Sequence, residues 1–175
     1  MSNAILLLEK SFEQVKPRAA EFSACFYDCL FAQYPDTKPM FAEVSLDLQE
    51  KKLIASLALV VENLHNPDAL AHALQSLGAH HTTVGTLAEH YPAVGQALLE
   101  SFAKFLGDDW TPELSQAWLK AYQTISDIML DGAERPSDYL KGELTFYEWL
   151  DLYGESSPSL HRLVESTTHF KYRAR

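Results

Sequence analysis

Basic residues are scarce in this chain: 14 Lys and Arg stand against 24 Asp and Glu, a formal net charge of −10. That balance excludes a general nucleic-acid role, because phosphate binding needs clustered Lys and Arg to release counterions. It leaves an acidic surface whose ordinary effect is solubility. Long apolar runs are missing as well. No stretch of about 18 apolar residues occurs, and the opening MSNAILLLEKSF places a Glu and a Lys directly after a short apolar run. Neither a membrane span nor a secretion signal is read there. Only two cysteines are present, Cys25 and Cys29, one helical turn apart. Their local company is Tyr27 and Asp28, a poor metal set, so they read as two reduced, part-buried thiols. With no cysteine left for a structural disulfide, the expected location is cytoplasmic. Alternating strand segments joined by hairpin turns are also lacking.

What remains is helix. In 175 residues, 47% apolar content suffices for one domain with a buried core, and the apolar residues follow helical spacing, which predicts an all-α protein. Pro17, Pro35, Pro39, Pro67, Pro92, Pro112 and Pro136 punctuate the chain, and Gly85, Gly107 and Gly132 read as segment ends. The predicted helices run over 3–16, 17–33, a short turn at 36–42, then 45–65, 67–84, 90–107 and 111–131. Asn66 and Thr111 read as caps, with Pro67 and Pro112 in first-turn positions where a missing N–H costs nothing. Residues 1–132 form the expected main domain. The stretch 133–175, rich in aromatics and turn formers, reads as a C-terminal extension of one or two short helices. Within it, Leu144, Trp149 and Tyr153 fall near one side of one helix, and Leu160, His161 and Leu163 fall in another.

The helix over 67–84 carries leucines at 70, 74 and 77, one apolar stripe at about 100° per residue. Its continuation lands on His81, whereas His80 points toward the flank. On periodicity alone, a histidine so placed is an ordinary core residue.

Three blocks give it a different meaning. FYDCLFAQYPDTKPMF at 26–41, LGAHHTTVGTLAEHYPAVGQALLESF at 77–102 and AWLKAY at 117–122 resemble the single-domain globins of bacteria and the globin domain of flavohaemoglobins, in matching order, from about residue 5 to residue 131. The resemblance implies a globin fold around haem b. His81 matches the proximal histidine, a neutral imidazole whose second nitrogen donates to a nearby acceptor and fixes the tautomer. Phe41 matches the phenylalanine that packs flat on the porphyrin. Tyr27 matches the tyrosine on the distal side, and Gln49, reached by counting back 32 residues from His81, matches the distal glutamine. Leu53 follows as the apolar residue crowding the gas, and Leu77, His80, Tyr91 and Val94 complete the implied haem-contacting set. The connector after Phe41 is shorter than in flavohaemoglobins, so a slipped register would put Lys52 in the distal role.

Oxygen held by a ferrous haem carries partial negative charge, so donors on Tyr27 and Gln49 imply tight oxygen binding with slow release, and less help for the less polar carbon monoxide. The chain departs from the flavohaemoglobin pattern at one proximal position: Tyr91 matches the tyrosine, but the glutamate position falls on Ala133, with Glu134 next to it. A weaker proximal push is implied, which disfavours peroxidase-like chemistry. The flavin and nicotinamide domains have no counterpart, so electrons would come from an external reductase. Three functions share this site. They are oxygen transport, storage or scavenging; nitric oxide dioxygenation to nitrate; and gas sensing or partner binding through the extension.

Overall fold

The computed structural model describes residues 3–42 and 44–140. Among these described residues seven α-helices run in order: α1 (Asn3–Val15), α2 (Ala19–Gln33), α3 (Leu46–Glu62), α4 (Pro67–Thr83), α5 (His90–Leu106), α6 (Pro112–Glu134) and α7 (Pro136–Tyr139). Short 3-10 turns at Lys16–Arg18, Pro35–Phe41 and Gly107–Asp109 join them. No strand occurs among the described residues, as the spacing of apolar residues predicts. No described helix is long and apolar enough to cross a membrane.

Local chemistry sets most helix ends. Pro17 breaks α1 from α2, because its ring removes a donor and clashes with the preceding turn. Asn66 accepts the Ala69 N–H at the start of α4, followed by Pro67, and Thr111 Oγ1 accepts the Leu114 N–H at 3.2 Å at the start of α6. Gly85 and Gly107 take φ of +80° and +55° just beyond α4 and α5, a conformation that side-chain-bearing residues avoid. Asn63 closes α3 with its side chain, donating to the Leu59 carbonyl. Gly132 departs from expectation. It lies inside α6, which runs on to Glu134, because the glycine there serves close helix packing rather than termination.

The described residues form two compact units, 3–54 with 86–127 and 55–85 with 128–140, so α3 and α6 each contribute to both. In the first unit, α2 packs along α5, and α1 also meets α5. Its core is aromatic: the Phe102 ring lies 4.7 Å from Phe22 and 4.2 Å from Trp118, with Phe12 buried among the largest core side chains. Each such ring removed from water contributes roughly 1.5–3 kcal/mol. Trp118 donates its indole N–H to Ser11 Oγ at 2.9 Å, so the polar edge of the largest core side chain is paired. In the second unit, the buried set is aliphatic, with Leu57, Leu59, Val60 and Val61 from α3, Leu74 and Leu77 from α4, and Met129 from α6.

Cys25 and Cys29 are both free thiols, the first half-buried and the second buried, and Lys104 donates to Cys29 Sγ at 3.3 Å. No cluster of three or more metal-binding side chains exists among the described residues.

Candidate functional site

Six of the nine residues singled out in the sequence lie in the first unit and three in the second. Tyr27 projects from α2 and is 6% exposed. Its ring meets Phe41 edge-on at 5.6 Å and Phe31 at 5.8 Å, while Phe31 and Phe41 are themselves 5.4 Å apart. Phe26 adds a further edge contact at 5.0 Å. Tyr27, Phe31 and Phe41 thus close a triangle of rings. The Pro35–Phe41 3-10 turn, which packs on α2, is what returns Phe41 to Tyr27. Burial raises the Tyr27 hydroxyl above its ordinary value of 10.0, and the negative charge of Glu50 raises it further. The group therefore stays an O–H donor throughout the physiological range.

Gln49 sits in the first turn of α3, half-buried, its backbone N–H bonded to the Ser45 carbonyl. Leu53, one turn later, is also half-buried, as is Lys52. Between them Glu50 is held above the usual carboxylate range by burial, with Asp47 and Asp28 adding to the effect. Tyr91 opens α5 and is buried, which raises its hydroxyl. Its carbonyl accepts a 2.6 Å hydrogen bond from the Tyr122 hydroxyl. The Tyr122 ring lies where a side chain on Gly95 would stand, since a Cβ there would be 2.3 Å from the ring. Gly95 and Tyr122 together fix the backbone at Tyr91. Val94 is half-buried on the same helix.

In the second unit, Leu77 is 4% exposed, and His80 and His81 are both half-buried. Burial does not separate the two histidines; His81 Nδ1 lies 2.8 Å from the Leu77 carbonyl oxygen. A carbonyl can only accept, so Nδ1 carries a proton, and in the neutral ring the basic lone pair is on Nε2. This is the donor chemistry that an axial haem ligand requires, a neutral imidazole with its tautomer fixed from behind. The residues fit the cofactor on that observation. Ala133 and Glu134 lie in the last turn of α6, Ala133 half-buried and Glu134 exposed.

Sequence reasoning missed Phe31, Glu50 and Tyr122. Phe31 stands four residues after Tyr27, a spacing that puts side chains on one helix face. Glu50 is a neighbour of Gln49 whose charge reaches Tyr27 only in the folded chain. Tyr122 closes the AWLKAY block, and only its partner at Tyr91 gives it meaning.

An all-α chain with this helix order has the globin fold. The globin family profile matches residues 24–129, more than half of the chain, and the chain belongs to the globin family. It is a bacterial-type globin similar to the globin domain of flavohaemoglobins. A flavohemoprotein of Deinococcus radiodurans is 35% identical over 107 residues, covering 60% of this chain and 27% of that protein. A flavohemoprotein of Bordetella pertussis is 28% identical over 131 residues, 74% of this chain and 32% of its own. The chain therefore spans about a third or less of these relatives. An uncharacterized globin-like protein of Aquifex aeolicus is 27% identical over 126 residues, 72% of this chain and 88% of that one. Among solved structures, a bacterial globin from Campylobacter jejuni matches with a TM-score of 0.68 at 24% identity, covering 79% of this chain and 99% of that one. An engineered carbene transferase, its parent provisionally assigned as a nitric oxide dioxygenase of Rhodothermus marinus, matches at 0.69 and 27% identity, covering 81% and 99%. Membership in the family implies a haem cofactor and gaseous ligands.

Proposed function

We propose that this globin holds haem b through His81 Nε2 and reversibly binds a diatomic gas, oxygen foremost, for transport, storage or scavenging. When bound, haem supplies an iron that takes up and releases the gas; the chain's residues do the rest. The observation that carries this reading is the His81 Nδ1 bond to the Leu77 carbonyl, which orients the ring and leaves Nε2 as the nitrogen for a metal. Its acceptor is an uncharged carbonyl, which pushes less electron density through the ring than a carboxylate would. That favours reversible gas binding over O–O cleavage.

In the distal role that the resemblance implies, the Tyr27 hydroxyl donates toward the ligand, kept protonated by its burial. Phe31 and Phe41 hold its ring and exclude water, Phe41 in the position that packs on the porphyrin. Gln49 supplies a second donor and Leu53 crowds the gas. Leu77, His80, Tyr91 and Val94 are the other residues assigned to the haem by the resemblance, with Tyr91 steadied through its carbonyl by Tyr122. The globin domain is taken as residues 1–132 with 133–175 as a C-terminal extension, whose Leu144, Trp149, Tyr153, Leu160, His161 and Leu163 lie outside the described residues.

The second reading is nitric oxide dioxygenation, with electrons supplied by a reductase. It is favoured by the flavohemoprotein relatives and by the assignment given to the Rhodothermus parent. The test is an absorption spectrum of the purified, haem-supplemented protein, ferric and ferrous, with and without oxygen. A strong band at the violet end of the visible range, moved reversibly by oxygen and lost or altered in His81→Gly, is the expected result. A colourless protein, or a His81→Gly spectrum equal to the parent's, overturns the reading. Nitrate formation from nitric oxide under a reducing system selects the second function.

A further inference from the structure

Within the second unit, α4 and α6 meet backbone to backbone. A Cβ on Gly78 would stand 1.8 Å from the Met129 carbonyl oxygen, and one on Gly132 would stand 2.0 Å from that of Gln75. The two contacts are reciprocal, since each glycine faces the carbonyl of the residue three positions before the other. A glycine inside a helix costs roughly 0.5–1 kcal/mol relative to alanine, and two of them at one crossing offset that only through close approach.

A polar key sits beside them. Gln75 Nε2 donates to Asp131 Oδ2 at 2.7 Å, and Arg135 donates to both oxygens of the same carboxylate at 2.7 Å. The Arg135 guanidinium, foremost, and then Gln75 hold the Asp131 carboxyl below the usual range. Arg135 also lies 6.0 Å from the Tyr139 ring, and that ring meets His72 edge-on at 6.1 Å. The helix α4 is thus gripped at His72, Gln75 and Gly78, and its next turn carries His81.

We propose that this crossing sets the seat of His81, with Gly78, Gly132, Gln75 and Asp131 as positioning residues for the iron's axial ligand. The proposal rests on the reading that His81 ligates haem. Because Nδ1 is tied to the Leu77 carbonyl of its own helix, the imidazole cannot settle independently and takes its position from α4. A helix in backbone contact cannot slide without opening a void on one side or colliding on the other. A methyl on Gly132 would need α4 and α6 to part by about 1.4 Å, the difference between 2.0 Å and the 3.4 Å at which ordinary contact begins. Functional groups tolerate misplacement of only about 0.5 Å.

The test uses the ferrous, gas-free haem protein and reads the iron–imidazole stretching band by resonance Raman, with haem loss to an acceptor protein as a second measurement. Gly132→Ala should shift the band and speed haem loss several-fold. Asp131→Ala should shift it less in the same direction, and Asp131→Asn should return it to the parent position, because the amide oxygen still accepts from Gln75. Should Gly132→Ala not fold, the half-exposed Asp131 pair carries the comparison. A band that disappears in His81→Gly yet stays at the parent position in the folded Gly132→Ala and Asp131 variants overturns the crossing's role. A band that survives His81→Gly instead overturns the ligand assignment on which the proposal rests.

Discussion

Replacing Tyr27 by Phe removes one oxygen atom from a ring that is 6% exposed and packed against Phe26, Phe31 and Phe41. All three ring contacts survive the change, so the fold and the haem should be retained. What is lost is an O–H that burial keeps protonated. A hydrogen bond to a charged or strongly polarised group contributes about 1.5–3 kcal/mol, and about 1.4 kcal/mol is tenfold in an equilibrium constant. Oxygen should therefore leave Tyr27→Phe about ten- to a hundredfold faster. Carbon monoxide, less polar when held, should change far less. Stopped-flow displacement of oxygen and of carbon monoxide in parent and variant measures both. An unchanged oxygen rate, or an equal change for the two gases, would refute the reasoning, since the first removes the donor and the second reduces its effect to packing.

Three tyrosines bear on alkaline stability: Tyr27, Tyr91 and Tyr122 are all raised above 10.0, each mainly by burial. Each binds its proton more tightly folded than unfolded, so their contribution is complete below about pH 10 and falls as pH rises beyond it. Thermal unfolding followed across that range should show the midpoint dropping, and a drop that is smaller when the three are Phe. Ser11→Ala leaves the buried Trp118 N–H without its acceptor, a loss of about 1–3 kcal/mol that urea unfolding would report as a lower midpoint at unchanged slope.

Much of the fold was legible because its signals are local. Pro17, Asn66, Thr111, Gly85 and Gly107 mark helix ends through chemistry that each carries within a turn of itself. Gly132 misled for the converse reason. Its role depends on Gln75, a residue far away in sequence, and a glycine near the end of a periodic run looks like a stop. The stripe through Leu74 and Leu77 does point to His81, yet His80 and His81 are equally half-buried. The His81 Nδ1 bond to the Leu77 carbonyl is a contact that no periodicity encodes. The Tyr27 and Phe41 positions came through resemblance, Phe31 could have been read from helical spacing, and Glu50 and Tyr122 required the packed structure.

The triangle of Tyr27, Phe31 and Phe41 is drawn from one short stretch of chain, a helix and the turn that follows it. Contacts so near in sequence carry little loop-closure penalty and are the first that a folding polypeptide can form. This aromatic wall can therefore stand early during synthesis, before the later helices exist.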